Sequence, residues 1–170
     1  GMSKGVQFLM KKNKITVVNG FGKLVAKGKV EVDNNGAKET HEAPHIILAT
    51  GARSRELPNI KIDGKKVIGY REAMVLPEQP KSMIVIGSGA IGSEFAYFYN
   101  TMGTKVTMVE FMPNILPVED EEVSKAMEKI FKNQGMEILT ASSVEAVDTS
   151  GAGCKVTIKT PKGVETRECD

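Results

Sequence analysis

Along the second half of the chain the spacing of apolar residues changes period repeatedly, and each change marks an element. Met83-Ile84-Val85-Ile86 is an apolar strand run that breaks at Gly87, with strand one read as Ile84–Gly87. A helical pattern follows over about Ala90–Met102, and Gly103 stands where a left-handed C-terminal cap belongs. Lys105–Glu110 reads as a second strand. After a loop holding Pro113 and Pro117, the positions Val123, Ala126, Met127, Ile130 and Phe131 recur at i, i+3, i+4, i+7 and i+8. That spacing predicts a helix over about Glu119–Gln134, with acids in its first turn, lysines in its last and Gly135 closing it. Met136–Leu139 is a third strand. Residues 143–148, 154–160 and 163–168 then read as an antiparallel excursion, turned at Pro161-Lys162-Gly163. Such an excursion normally returns to its parent sheet, so a C-terminus cut short at Glu168-Cys169-Asp170 is expected.

The first half has a different texture. Residues 3–13 predict a short helix with Ser3 as N-cap and Val6, Leu9 and Met10 on one face. Apolar and β-branched runs follow at Ile15–Val18, Gly22–Val25, Lys29–Val32 and Ala37–His41. Asn34-Asn35-Gly36 suits a type I′ hairpin turn, because Asn and Gly tolerate positive φ, and the block reads as an antiparallel meander. The run His45-Ile46-Ile47-Leu48-Ala49-Thr50-Gly51 predicts a strand buried on both faces. Residues 52–64 read as irregular and Lys66–Tyr70 as a further short strand, and Pro77 and Pro80 bracket a domain boundary. The fold expected is α/β. A three-layer Rossmann-like domain with an inserted antiparallel β-meander spans 80–170, preceded over 1–79 by a β-meander and a strand of another domain.

Composition narrows the chemistry by exclusion. A net charge of +2 argues against nucleic acid as a partner, and Lys11, Lys12 and Lys14 read as a solvated helix end. No apolar run approaches the roughly 20 residues that a membrane helix needs. The start Gly1-Met2-Ser3-Lys4 has no apolar signal region, and a cytoplasmic protein is expected. Cys154 and Cys169 are separated by fourteen residues, which fits neither a CxxC redox pair nor a zinc site; reduced cysteines in strands are expected. His41 and His45 have no Cys or acid cluster around them, so no metal site is expected.

The glycine turn carries the chemistry. Gly87-Ser88-Gly89-Ala90-Ile91-Gly92 follows a strand, opens a helix, and is answered by Glu110 at the end of strand two, 18 residues after Gly92. This is the dinucleotide-binding pattern in its full context. Gly87 permits the tight turn, Gly89 presents no side chain to a pyrophosphate, and Gly92 lets the helix pack closely; the helix start offers free N–H groups. A carboxylate at Glu110 accepts hydrogen bonds from a ribose diol and repels a 2′-phosphate. Phe111 follows it with no arginine close by, so NAD(H) is expected over NADP(H). Glu94 has two readings, an acid complementing the helix dipole or an acid near the nicotinamide end of the cofactor. Tyr97, Phe98 and Tyr99 read as core or interface aromatics.

Four pieces of the chain together resemble the two-dinucleotide-domain flavoprotein disulfide reductases, most closely the dihydrolipoamide dehydrogenases. They are Ile46–Arg53, Ile84–Gly92 with Ser93-Glu94-Phe95, Val106–Phe111, and Lys132-Asn133-Gln134-Gly135. The resemblance implies that 1–79 is the end of an FAD-binding domain and 80–170 most of an NAD-binding domain. It implies that Gly87, Ser88, Gly89, Ala90, Ile91 and Gly92 cradle the pyrophosphate of NAD, that Glu110 holds the adenosine ribose, and that Glu94 lies near the nicotinamide. Thr50 and Gly51 match the strand that closes the FAD domain. For a full-length parent it implies FAD, electron flow from dihydrolipoamide through a redox disulfide and flavin to NAD⁺, a homodimer, and a lipoamide-bearing acyltransferase complex as partner. Related NADH-dependent disulfide or peroxide reductases share these motifs, and a non-catalytic NAD(H)-sensing module is a rival of another class. The departures are the absent N-terminal FAD glycine motif, the absent CxxxxC pair and the absent C-terminal His–acid pair. No catalytic residue is therefore expected within this chain, and no turnover from it alone.

Overall fold

The computed structural model describes all residues from Gly1 to Asp170, and they divide into two compact units, Gly1–Ala52 and Arg53–Asp170. The first unit opens with α1 (Met2–Lys12), capped at its N-terminus by Gly1 rather than Ser3, which lies inside the helix. Its apolar face is open to solvent, since Val6, Phe8 and Leu9 are all exposed. Three strands follow, β1 (Phe21–Ala26), β2 (Lys29–Asn34) and β3 (Ala37–Glu42), in the order β1-β2-β3 and antiparallel throughout. Asn35 and Gly36 link β2 to β3 with φ of 54° and 92°, the two positive values of a type I′ turn. Val32 is the single buried residue of this unit.

Two expected strands of the first unit do not form. Ile15–Val18 is irregular chain, and so is His45–Gly51. Ile47 and Leu48 are exposed, so the strand expected to be buried on both faces is neither a strand nor buried. The reason is pairing: an apolar run becomes a central strand only when neighbours take its N–H and C=O groups, and β1–β3 supply none.

The second unit holds the core. β4 (Ser82–Ile86), β5 (Lys105–Val109) and β6 (Glu137–Leu139) form a parallel sheet in the order β4-β5-β6. The crossovers are α3 (Ala90–Thr101) and α4 (Glu121–Asn133). Alternation along the strands sorts the side chains. Val106 and Met108 pack with Ala96 and Tyr99 of α3 and Phe131 of α4. Val109 and Ile84 face the other way, onto Val144, Val156 and Ile158. That second face is covered by an antiparallel sheet of β7 (Ser143–Asp148), β8 (Cys154–Thr160) and β9 (Gly163–Cys169). The parallel sheet is thus clad by helices on one face and by a meander on the other.

Residues 53–79 fall within this compact unit. Long-range contacts draw the segment in. Ile60 is buried with Val109 and Val144, the Tyr99 hydroxyl donates to the Ala73 carbonyl at 2.6 Å, and Lys66 Nζ donates to the carbonyls of Thr149 and Gly153. Lys66–Tyr70 is not a strand; Tyr70 opens the four-residue helix α2 (Tyr70–Ala73). Asp120 caps α4 by accepting from Glu122 N at 2.8 Å, and Gly103 and Gly135 end α3 and α4 with positive φ.

Candidate functional site

At the carboxyl end of β4 the chain must leave the sheet, turn sharply and start α3. Gly87 makes the turn at φ 95°, a left-handed value, and its N–H still donates to Val109 O at 2.8 Å. Gly92 is needed for approach: a Cβ there would lie 2.1 Å from Gly87 O and 3.5 Å from Val85 Cγ1. Gly89 is the N-cap of α3 in extended geometry (φ −62°, ψ 177°), and a Cβ on it would meet nothing within 4 Å. Its side of the turn is open space.

The start of α3 is left chemically open. It has no side-chain cap and no acid in its first turn, and its first ladder bond runs from Ser93 N to Gly89 O. The N–H groups of Ala90, Ile91 and Gly92 are therefore the unpaired donors of a helix terminus, aligned with the positive end of its dipole. α4 differs, with Asp120, Glu121 and Glu122 gathered at its start.

Ser88 and Glu110 lie beneath the turn. Ser88 is fully buried and Glu110 is 6% exposed. Glu110 Oε2 accepts from Ser88 N at 2.8 Å and Ser88 Oγ at 2.6 Å, while Oε1 accepts from Met112 N at 2.8 Å. Ser88 O also accepts from Ser93 Oγ at 2.9 Å and Leu116 N at 3.2 Å. One carboxylate thus braces the glycine turn against the end of β5. The sequence signal for this brace was a serine between the first two glycines and an acid closing strand two; sequence reasoning gave both residues to the ligand.

The expected site residues are partly brought together. Gly87, Gly89, Ala90, Ile91 and Gly92 line one cavity of about 910 Å³ alongside β4. Glu94 does not line it. As the fifth residue of α3 it lies beyond the first turn and is exposed, lining a second hollow of about 420 Å³ with Tyr97, Leu116, Met127 and Phe131. That position weakens the dipole reading of Glu94, because the helix-end field falls off within a turn. Tyr99 is buried, with its ring edge-on to Phe98 at 5.2 Å; Tyr97 and Phe98 are about half exposed. Thr50 and Gly51 are exposed residues of the first unit. No three His, Cys, Asp or Glu side chains group as a metal site would, and no helix is long and apolar enough to cross a membrane.

A parallel sheet with a glycine turn at the carboxyl end of its first strand, an uncapped helix behind it and an acid after the second strand defines a class of α/β domains. Within that class the chain belongs to the pyridine nucleotide-disulphide oxidoreductase family, whose model matches residues 1–170. It is 43% identical over 168 residues to the dihydrolipoyl dehydrogenase of Zymomonas mobilis, covering 98% of this chain and 36% of that protein. It is similar to the crystal structure of LpdA from Mycobacterium tuberculosis, with a TM-score of 0.81 at 28% identity over 99% of this chain and 38% of that one. It is also similar to the water-forming NADH oxidase of Lactobacillus brevis bound to NADH, with a TM-score of 0.64 at 25% identity over 85% of this chain and 33% of that one. The chain spans about a third of the length of each.

Proposed function

We propose that residues 80–170 are the NAD(H)-binding section of a dihydrolipoyl dehydrogenase, in a Rossmann-like arrangement, and that residues 1–79 derive from its FAD-binding domain. The observation that carries the reading is the open start of α3. Three unpaired N–H groups stand behind Gly89, whose missing side chain leaves the approach clear. A pyrophosphate fits both features, because its oxygens accept from the N–H groups and its charge meets the positive end of the helix dipole. Gly87, Gly89, Ala90, Ile91 and Gly92 are the residues in contact. Ser88 acts from beneath through its bond to Glu110.

Glu110 is the adenosine-ribose ligand in this reading, and its geometry sets terms. A carboxylate offers about four lone-pair sites, and three donors already reach Glu110. A ribose diol brings two more, so the Ser88 hydroxyl turns away when the ribose binds. The same buried carboxylate repels a 2′-phosphate, which favours NAD(H) over NADP(H). Glu94 lies toward the nicotinamide end. NAD supplies hydride acceptance when bound; the chain's own part is to orient the dinucleotide by its backbone.

Thr50 and Gly51 are the FAD-side residues of this reading. They stand in exposed, irregular chain that forms no cradle for a flavin. The sequence contains no CxxxxC pair, and the 170 residues bind NAD(H) without reducing lipoamide. The full-length protein would be a cytoplasmic homodimer working with a lipoamide-bearing acyltransferase complex. Calorimetric titration with NADH and NADPH tests the reading. Weak NADH binding with NADPH weaker still is expected, and no heat with NADH at millimolar concentration would overturn it.

A further inference from the structure

β8 and β9 run in unbroken antiparallel register from Thr160↔Gly163 to Cys154↔Cys169. The only two cysteines of the chain therefore stand directly opposite one another. They also share a face. Cys154 lies on the side of β8 that buries Val156 and Ile158 against the parallel sheet, and Cys169 packs on the same cluster. Directly opposed residues of an antiparallel pair hold their Cα atoms about 4.5–5.5 Å apart. A disulfide spans Cα separations of about 4.4–6.8 Å, so the bridge closes without backbone movement.

The two thiols lie near enough for each to perturb the other's titration, and both cysteines are free. This end of the sheet is firmly held. A Cβ on Gly153 would lie 2.4 Å from Cys169 O, Lys66 Nζ grips the carbonyls of Thr149 and Gly153, and Asp170 accepts from the N–H groups of Lys81 and Ser82. Access exists too, because both cysteines line the cavity of about 910 Å³ and Cys169 keeps part of its surface.

We propose that Cys154 and Cys169 form a reversible dithiol–disulfide pair, a redox modification site on the meander that is closed by low-molecular-weight disulfides. The Cys169 thiolate attacks one sulfur of the small disulfide, whose S–S bond breaks to release one thiol carrying the electron pair and a proton. Cys154, having lost its proton, then attacks the Cys169 sulfur of the mixed disulfide and releases the second thiol. The protein loses two protons and two electrons, and the small disulfide gains them. The pairing of the two cysteines does not rest on NAD(H) binding.

Oxidised glutathione is the probe. Burial pushes the Cys169 thiol up to about 11, so the incubation is run at mildly alkaline pH to supply thiolate. Alkylation and peptide mapping by mass spectrometry should find a monomer lighter by two hydrogens, with the peptides of Cys154 and Cys169 linked and separated again by dithiothreitol. Cys154→Ser should stop at a glutathione adduct on Cys169. Two alkylated cysteines after an incubation that fully oxidises dithiothreitol would overturn the proposal. So would cross-linked dimers in place of the internal bridge. The wild-type map decides the question even where a serine variant fails to fold.

Discussion

Gly92→Ala and Gly89→Ala separate packing from ligand space at two glycines three residues apart. At Gly92 the new methyl would lie 2.1 Å from Gly87 O and 3.1 Å from Gly87 C, and both atoms are backbone. Relief requires shifting a turn that Gly87 N holds to Val109 O at 2.8 Å. Overpacking costs about 1–3 kcal/mol, and a contact this short against backbone belongs near 3. Alanine's advantage over glycine inside a helix returns about 1 kcal/mol. The net is a loss of about 2 kcal/mol, or roughly 8 °C in melting midpoint for a unit of this size. At Gly89 the methyl meets nothing within 4 Å, and φ −62° suits any residue. The weaker N-cap and the stiffer unfolded chain offset each other to within about 1 kcal/mol. That methyl nevertheless stands in front of the α3 N–H groups, so NADH affinity should fall about tenfold or more, equivalent to about 1.4 kcal/mol. Calorimetric melts and NADH titrations of both variants make the comparison. A Gly92→Ala protein that melts with the parent, or a Gly89→Ala protein that binds NADH like the parent, refutes the reasoning.

Ser88→Ala removes the 2.6 Å bond to Glu110 inside a buried site and should cost about 1–3 kcal/mol in urea unfolding; a change below about 0.5 kcal/mol would mean the brace carries no stability. The bidentate Arg167 guanidinium, linking β9 to β6, holds the Glu137 carboxyl below the usual carboxylate range. A depressed folded pKa means the unfolded chain binds the extra proton first, so this stabilisation is complete above about pH 5 and is lost as pH falls through the folded value. Both side chains are about a third exposed, so screening limits the pair to roughly 0.5–1 kcal/mol. Wild type should lose more stability than Glu137→Gln between about pH 6 and pH 3, and parallel curves would sink the assignment. Gly36→Ala forces a Cβ into φ 92° and should cost the β2–β3 hairpin about 1 kcal/mol, read as faster amide exchange in those strands; unchanged exchange would contradict the turn assignment.

The elements legible in the sequence are those whose determinants are local. The helix over 119–134 needs its own apolar stripe, its acids and Gly135, and α4 forms over Glu121–Asn133 with those features in place. The three strands of the excursion fall within a residue of their expected bounds because Pro161-Lys162-Gly163 and the period of the runs fix each end. Asn35-Gly36 is the same case, since the residues that permit positive φ are the turn itself.

What was not legible depends on partners remote in sequence. His45–Gly51 has the composition of a central strand, but composition cannot supply neighbours, and β1–β3 pair only with each other. Residues 52–64 carry turn signals that read as irregular chain, and Lys66–Tyr70 reads as a short strand. They are held by contacts some 80 residues away, such as Asn59 Nδ2 to Val144 O at 3.3 Å and Lys66 Nζ to Thr149 O at 2.7 Å. The same limit explains Glu110. Its position after strand two marks it for a ribose, yet its bonds to Ser88 appear only once β4 and β5 lie side by side and the turn comes back over the strand end. The acid at the end of β5 is well placed to hold the turn, and the buried Ser88 is the group through which it does so.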